Sequence, residues 1–116
     1  MLKDTSWHAE GLCSGHPDPD LWHYSSSKKL DERRLGEYRV AEAVTICNAC
    51  PVKDKCLTQG LEPENLIVFH QLEGTIWGGK LLGERLNIRD RKMTKKYHQE
   101  ASFLRSVRQK IAKISQ

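Results

Sequence analysis

Cys47-Asn48-Ala49-Cys50-Pro51-Val52-Lys53-Asp54-Lys55-Cys56 holds three of the chain's four cysteines within ten residues. The fourth, Cys13, lies 34 positions before Cys47, so the full spacing is C-x33-C-x2-C-x5-C. Upstream, Leu35, Tyr38, Ala41 and Val44 recur at every third residue with Val40 and Ala43 beside them. That period predicts a helix over about Asp31 to Cys47 with one apolar face, which Cys47 extends. Pro51 lacks an N–H and has a fixed φ, which suits the first position of a helix and biases Cys50 toward an extended, cap-like conformation. A second helix is expected from Pro51 to Gln59 with Gly60 as its C-cap. Cys50 then stands at a positively polarised helix start that favours a thiolate, and Cys56 follows far enough round the helix to face the same centre. Cys13 must be brought in by tertiary folding.

At 116 residues and a mean hydropathy of −0.64, the chain makes one domain, with a small core that needs a supplement. The N-terminus (Met1-Leu2-Lys3-Asp4) has no apolar segment of the kind that opens a secretory signal, and no run is long enough to span a membrane. We therefore expect an intracellular, cytoplasmic chain whose thiols stay reduced, where clustered cysteines more often hold metal than form disulfides. Charge is divided unevenly. Residues 1–79 carry eight Lys/Arg against twelve Asp/Glu, and residues 80–116 carry eleven against three, which gives an acidic body and a basic tail.

Between Cys13 and the first helix, Ser14 to Asp20 is turn chemistry, and Leu21-Trp22-His23-Tyr24 is an aromatic patch that serves equally well as core anchor or contact surface. Beyond the cysteines, Pro63 and Glu64 tip the apolar run Leu66 to Leu72 toward helix. Gly74-Thr75-Ile76-Trp77-Gly78-Gly79 reads as a tight turn presenting a large ring. Lys80 to Leu86 resumes a helical pattern, and Arg89, Arg91, Lys92, Lys95 and Lys96 form a basic run. In the last segment Phe103, Leu104, Val107, Ile111 and Ile114 share one helical stripe, with Arg105, Arg108 and Lys113 on other faces.

Cys13 with Asp18, Asp20, Leu21 and Trp22 after it, Cys47-x2-Cys50-Pro51-Val52-x3-Cys56, Ile76-Trp77-Gly78-Gly79 and a basic C-terminus together resemble the WhiB-like (Wbl) family of actinobacterial and actinophage transcription regulators. The resemblance covers roughly Cys13 to Arg85. It implies an all-α fold, a small helical domain (1–84) wrapped around one 4Fe-4S cluster held by Cys13, Cys47, Cys50 and Cys56, followed by a basic helical extension (85–116). It also implies docking on domain 4 of the primary sigma factor of RNA polymerase through Trp77, Gly78 and Gly79, with Trp22 as a further candidate contact. Promoter DNA would be met by the tail, for which Arg89, Arg91, Lys92, Lys95, Lys96, Arg105 and Arg108 are the candidates. On this division, truncation after Glu84 removes DNA affinity and leaves cofactor and sigma binding in place.

The residues support a cluster independently of the family. Iron–sulfur centres take four thiolates, commonly three close together and one remote. The anionic centre would find Lys53, Lys55 and a helix start nearby, and it would join segments too poor in apolar area to hold together alone. Two other readings of the same cysteines stay open. Structural zinc is one, although zinc ribbons usually pair two C-x2-4-C knuckles and Cys13 has no such neighbour; His16 and His23 could substitute as ligands for either metal, but four cysteines already complete a set. A Cys47/Cys50 dithiol reductase is the other, although no thioredoxin-like βαβ pattern surrounds the motif. No Ser/His/Asp set, phosphate loop or acid pair stands out, so no catalysis is expected.

Overall fold

The computed structural model of the chain describes residues 10–12, 14, 16–25, 29–67, 73–91 and 94–114. Cys13, Lys92 and the 68–72 part of the apolar run lie outside the described residues. The order is a 3₁₀ turn (Pro19–Trp22), β1 (His23–Ser25), α1 (Leu30–Asn48), α2 (Lys53–Gly60), a second 3₁₀ turn (Pro63–Asn65), β2 (Glu73–Thr75), α3 (Leu82–Asp90) and α4 (Lys95–Ile114). The fold is mostly helical, and the all-α expectation is corrected by one small antiparallel sheet. β1 and β2 pair His23 with Thr75, Tyr24 with Gly74 and Ser25 with Glu73. Three-residue strands are too short to show a period of two, and Gly74 is there because the Tyr24 ring lies where a Cβ would go.

α1 runs where the apolar period placed it, but its buried face is different. Glu37, Val40, Ala41, Val44 and Cys47 face inward with Ala43, whereas Leu35 and Tyr38 are exposed. Glu37 takes a core-facing position because it is neutralised from two sides. Arg33 Nε donates to Oε1 at 3.1 Å and Lys110 Nζ to Oε2 at 2.8 Å. Lys110 also lies over the Tyr38 ring, 5.0 Å from its centroid.

α2 begins at Lys53, with Val52 in the N-cap position, and Gly60 is its last helical residue rather than its C-cap, which is Leu61. A Cβ on Gly60 would overlap Trp77, so the glycine serves close approach and not helix termination. The expected helix after Pro63 is, among the described residues, a single 3₁₀ turn.

α4 packs along α1 and against α3. Phe103, Leu104 and Val107 enter the same cluster as Leu21, Trp22, Tyr24, Val40, Val44, Ile76 and Leu81, with Ile111 half-buried beside it and Ile114 exposed. The stripe continues toward the N-terminus of α4 through two charged residues. Lys96 and Glu100 are both buried and form an ion pair at 3.5 Å. Glu100 also accepts from the Tyr24 hydroxyl and from the Gly83 N–H, and Leu82 N–H donates to the Tyr24 oxygen, so this network supplies acceptors to buried amides at the start of α3 that have none within the helix. Burial raises the Glu100 carboxyl above its ordinary pKa range.

The boundary expected after residue 84 therefore falls inside α3, and the residues on its two sides share one core. Truncation after Glu84 removes Arg85 and α4 along with the basic charge, and is expected to abolish cooperative unfolding monitored by circular dichroism. Glu100→Ala, which takes from the core the carboxylate that accepts from the Tyr24 hydroxyl and the Gly83 N–H, is expected to cost about 1–3 kcal/mol in denaturant titration.

Candidate metal centre

The four residues between α1 and α2 hold the cysteine stretch in successive tight turns. Ala49 N–H donates to Ile46 O at 3.2 Å, Cys50 N–H to Cys47 O at 3.0 Å and Lys53 N–H to Cys50 O at 3.3 Å. Cys56 lies in the first turn of α2, with its N–H on Val52 O at 2.9 Å. This junction brings Cys47, Cys50 and Cys56 to the wall of one cavity of about 370 Å³, lined also by Ile46, Val52, Trp77, Gly11 and Ser14. Cys47 is buried and the other two are half-buried. Among the described residues no three His, Cys, Asp or Glu side chains are arranged to hold a single metal ion; the three thiols border the cavity instead.

Each of these sulfurs accepts a hydrogen bond from a different distant segment. The Trp22 indole N–H donates to Cys47 Sγ at 3.2 Å, the Gly78 N–H to Cys56 Sγ at 3.2 Å and the Leu12 N–H to Cys50 Sγ at 3.5 Å. These donors hold each sulfur from outside the cysteine junction, as hydrogen bonds round a metal site orient its ligands. Lys53 borders the cavity and donates to Asn48 Oδ1 at 2.8 Å. Lys55, expected beside it, points to solvent. His23 reaches the cavity wall, whereas His16 packs edge-on against Trp22 and accepts the Asp18 N–H on Nδ1 at 3.0 Å.

The Trp77 turn closes the site. Trp77 and Lys80 exchange two backbone hydrogen bonds, of 3.1 and 3.0 Å, around Gly78 (φ +58°) and Gly79 (φ +80°). Positive φ at both central residues is the type I′ requirement. Gly78 lies on the α2 backbone, where a Cβ would come within 2.8 Å of Leu57 Cα, and Gly79 lies over the end of α1, 3.5 Å from Cys47 Cβ by the same measure. The turn thus bridges both cysteine-bearing helices.

The other expected contact residues are distributed differently. Trp22 is buried, so its ring is part of the core and its N–H serves Cys47. Lys96, expected on the DNA-facing surface, is corrected to a core residue paired with Glu100. Arg91, Lys95, Arg105 and Arg108 are exposed, and Arg108 lies 3.8 Å from Glu84. Arg89 is exposed but committed to Leu61 O at 2.8 Å. Sequence reasoning missed the sulfur-directed donors and Arg85. The pairing of an indole with a cysteine was the one feature with a usable signal, since a buried Trp needs an acceptor.

These features define a small helical protein with a cysteine-walled cavity between two helices and a double-glycine turn laid across it. The family described as Transcription factor WhiB matches residues 7–88. The chain belongs to this transcription-factor family, whose match takes in all four cysteines and the Trp77 turn. Searches among curated proteins and solved structures returned no match.

Gly78→Ala and Gly79→Ala both force a side chain into positive φ, a cost of roughly 1–2 kcal/mol. Only Gly78 faces backbone at clashing distance. Gly78→Ala is expected to lower the thermal midpoint clearly more than Gly79→Ala.

Proposed function

We propose that this chain is a transcription regulator that carries a 4Fe-4S cluster and docks on domain 4 of the primary sigma factor, with its basic helix lying along promoter DNA. The observation that carries the reading is the set of three cysteine sulfurs bordering one cavity, each supplied with an N–H donor. Hydrogen bonds to the ligating sulfurs are among the protein's means of tuning such clusters. Thiols spread round a cavity also suit a multi-iron centre better than zinc, which draws its sulfurs to about 2.3 Å from one point. Cys13, Cys47, Cys50 and Cys56 would hold the cluster, which when bound supplies iron able to react with oxidants or small gases.

The chain's own residues do the rest. Trp22, Leu12 and Gly78 hold the sulfurs in place, and Lys53 adds positive charge at the cavity edge. Because Gly78 donates to Cys56 while Trp77 begins the same turn, the state of the centre and the presentation of the Trp77 ring are mechanically linked. That supports a sigma-facing surface formed by Trp77, Gly78 and Gly79. Trp77→Ala is expected to weaken binding to sigma domain 4 by at least tenfold, measured by fluorescence anisotropy, with the cysteine centre intact. Unchanged affinity would remove the turn from the interface.

For DNA, the exposed Arg91, Lys95, Arg105 and Arg108 support sequence-independent contact with phosphates, and Lys96 drops out. The double variant Arg105→Ala/Arg108→Ala is expected to lower the slope of log affinity against log salt by about 2, close to one for each lost phosphate contact. An unaltered slope would show that this face of α4 does not meet DNA.

A further inference from the structure

Arg85 is the largest of the fully buried side chains, at 0 % exposure. Its guanidinium reaches three separate segments. Nη1 donates to Gly60 O and Asn65 O, both at 2.9 Å, and Nη2 donates to Thr75 O at 2.8 Å and Thr75 Oγ1 at 2.7 Å. All four acceptors are neutral, and Nε has no hydrogen-bond partner among the described residues. Burial pulls the pKa of the group down to about 10, so it stays charged at neutral pH. A charge kept in so dry a place is costly, and a solvating shell of carbonyls only partly offsets it. Ordinary packing would be met at less cost by an apolar side chain.

The acceptors have one neighbour in common. Gly60, the last residue of α2, is the surface against which the Cβ of Trp77 is pressed, and a Cβ built on Gly60 would come 3.2 Å from Arg85 Cδ. Thr75 ends β2, two residues before Trp77. Asn65 is tied back to α2, its Nδ2 donating to Gln59 O at 2.9 Å. One planar fork therefore fixes the end of α2 to the end of β2, and Trp77 emerges from the angle between them. We infer that Arg85 is a positioning residue for Trp77, setting the orientation of the ring and of the Gly78 N–H that follows it. A lysine offers a single ammonium and cannot span the same four acceptors. The role of the ring as a contact rests on the sigma-docking reading above; its positioning by Arg85 does not.

The test uses the full chain labelled with 5-fluorotryptophan, with the ¹⁹F resonances of Trp22 and Trp77 assigned from Trp22→Phe and Trp77→Phe. Arg85→Lys, and Thr75→Val as a milder variant that removes only the Oγ1 acceptor, are compared with the parent. The Trp77 resonance is expected to broaden or move toward its position in urea, more for Arg85→Lys than for Thr75→Val, while Trp22, whose indole N–H is held by Cys47 Sγ and not by Arg85 or its acceptors, keeps its own. An unmoved Trp77 resonance in Arg85→Lys would overturn the inference, and so would equal loss of both resonances in the two variants, which would make Arg85 a general prop. Sigma domain 4 titrated into the same samples separates the two claims. A displaced Trp77 resonance with unaltered sigma affinity upholds the positioning role and sinks the docking reading alone.

Discussion

Hydrogen bonding to cysteine sulfur is the constraint on which this structure turns. Cys47, Cys50 and Cys56 come together through the local geometry of a helix end, a tight turn and a helix start, but their donors do not. Trp22, Leu12 and Gly78 stand 25, 38 and 22 residues away from the sulfurs they serve. Each bond therefore closes a long loop and draws a separate segment against the cysteine junction. A core of this size has little apolar area with which to do that, and a centre shared by several segments couples their folding to its own presence.

The sheet and the Trp77 turn follow from the same arrangement. Trp22, fixed by Cys47, accepts the Ile76 N–H on its carbonyl at 2.9 Å, which starts the pairing of β1 with β2 and delivers Trp77 to the cavity. Two residues after Trp22, in the middle of β1, Tyr24 reaches Glu100 on α4 and the first amides of α3. Thus Trp22, just before β1, and Tyr24, within it, tie the cysteine site to the helix that carries the exposed basic residues. The C-terminal helix is a structural partner of the site.

Much of this was legible in the sequence. The apolar period and the cysteine spacing located α1, the helix junction and the double-glycine turn, because each depends on local rules of period, capping or positive φ. What escaped depended on long-range pairing. Glu37 and Glu100 interrupt apolar stripes as charges and gain core positions through partners far along the chain, Lys110 for the one and Tyr24 for the other, while Lys96 pairs with Glu100 one turn away on α4. Leu35 and Tyr38 fit the period yet face outward, since a period of three drifts round a helix of 3.6 residues per turn. Gly60 looked like a helix stop because its closeness to Trp77 is invisible before folding. Arg85 was for the same reason only one residue of the helical pattern Lys80 to Leu86.

The central claim is that Cys13 joins the other three cysteines around one iron–sulfur centre, and X-ray absorption of the anaerobically isolated full chain tests it most directly. An all-sulfur first shell at the iron edge with iron–iron scattering is expected, and Cys13→Ser should lose that signal. A single zinc about 2.3 Å from four sulfurs, or an iron signal indifferent to Cys13→Ser, would contradict the account.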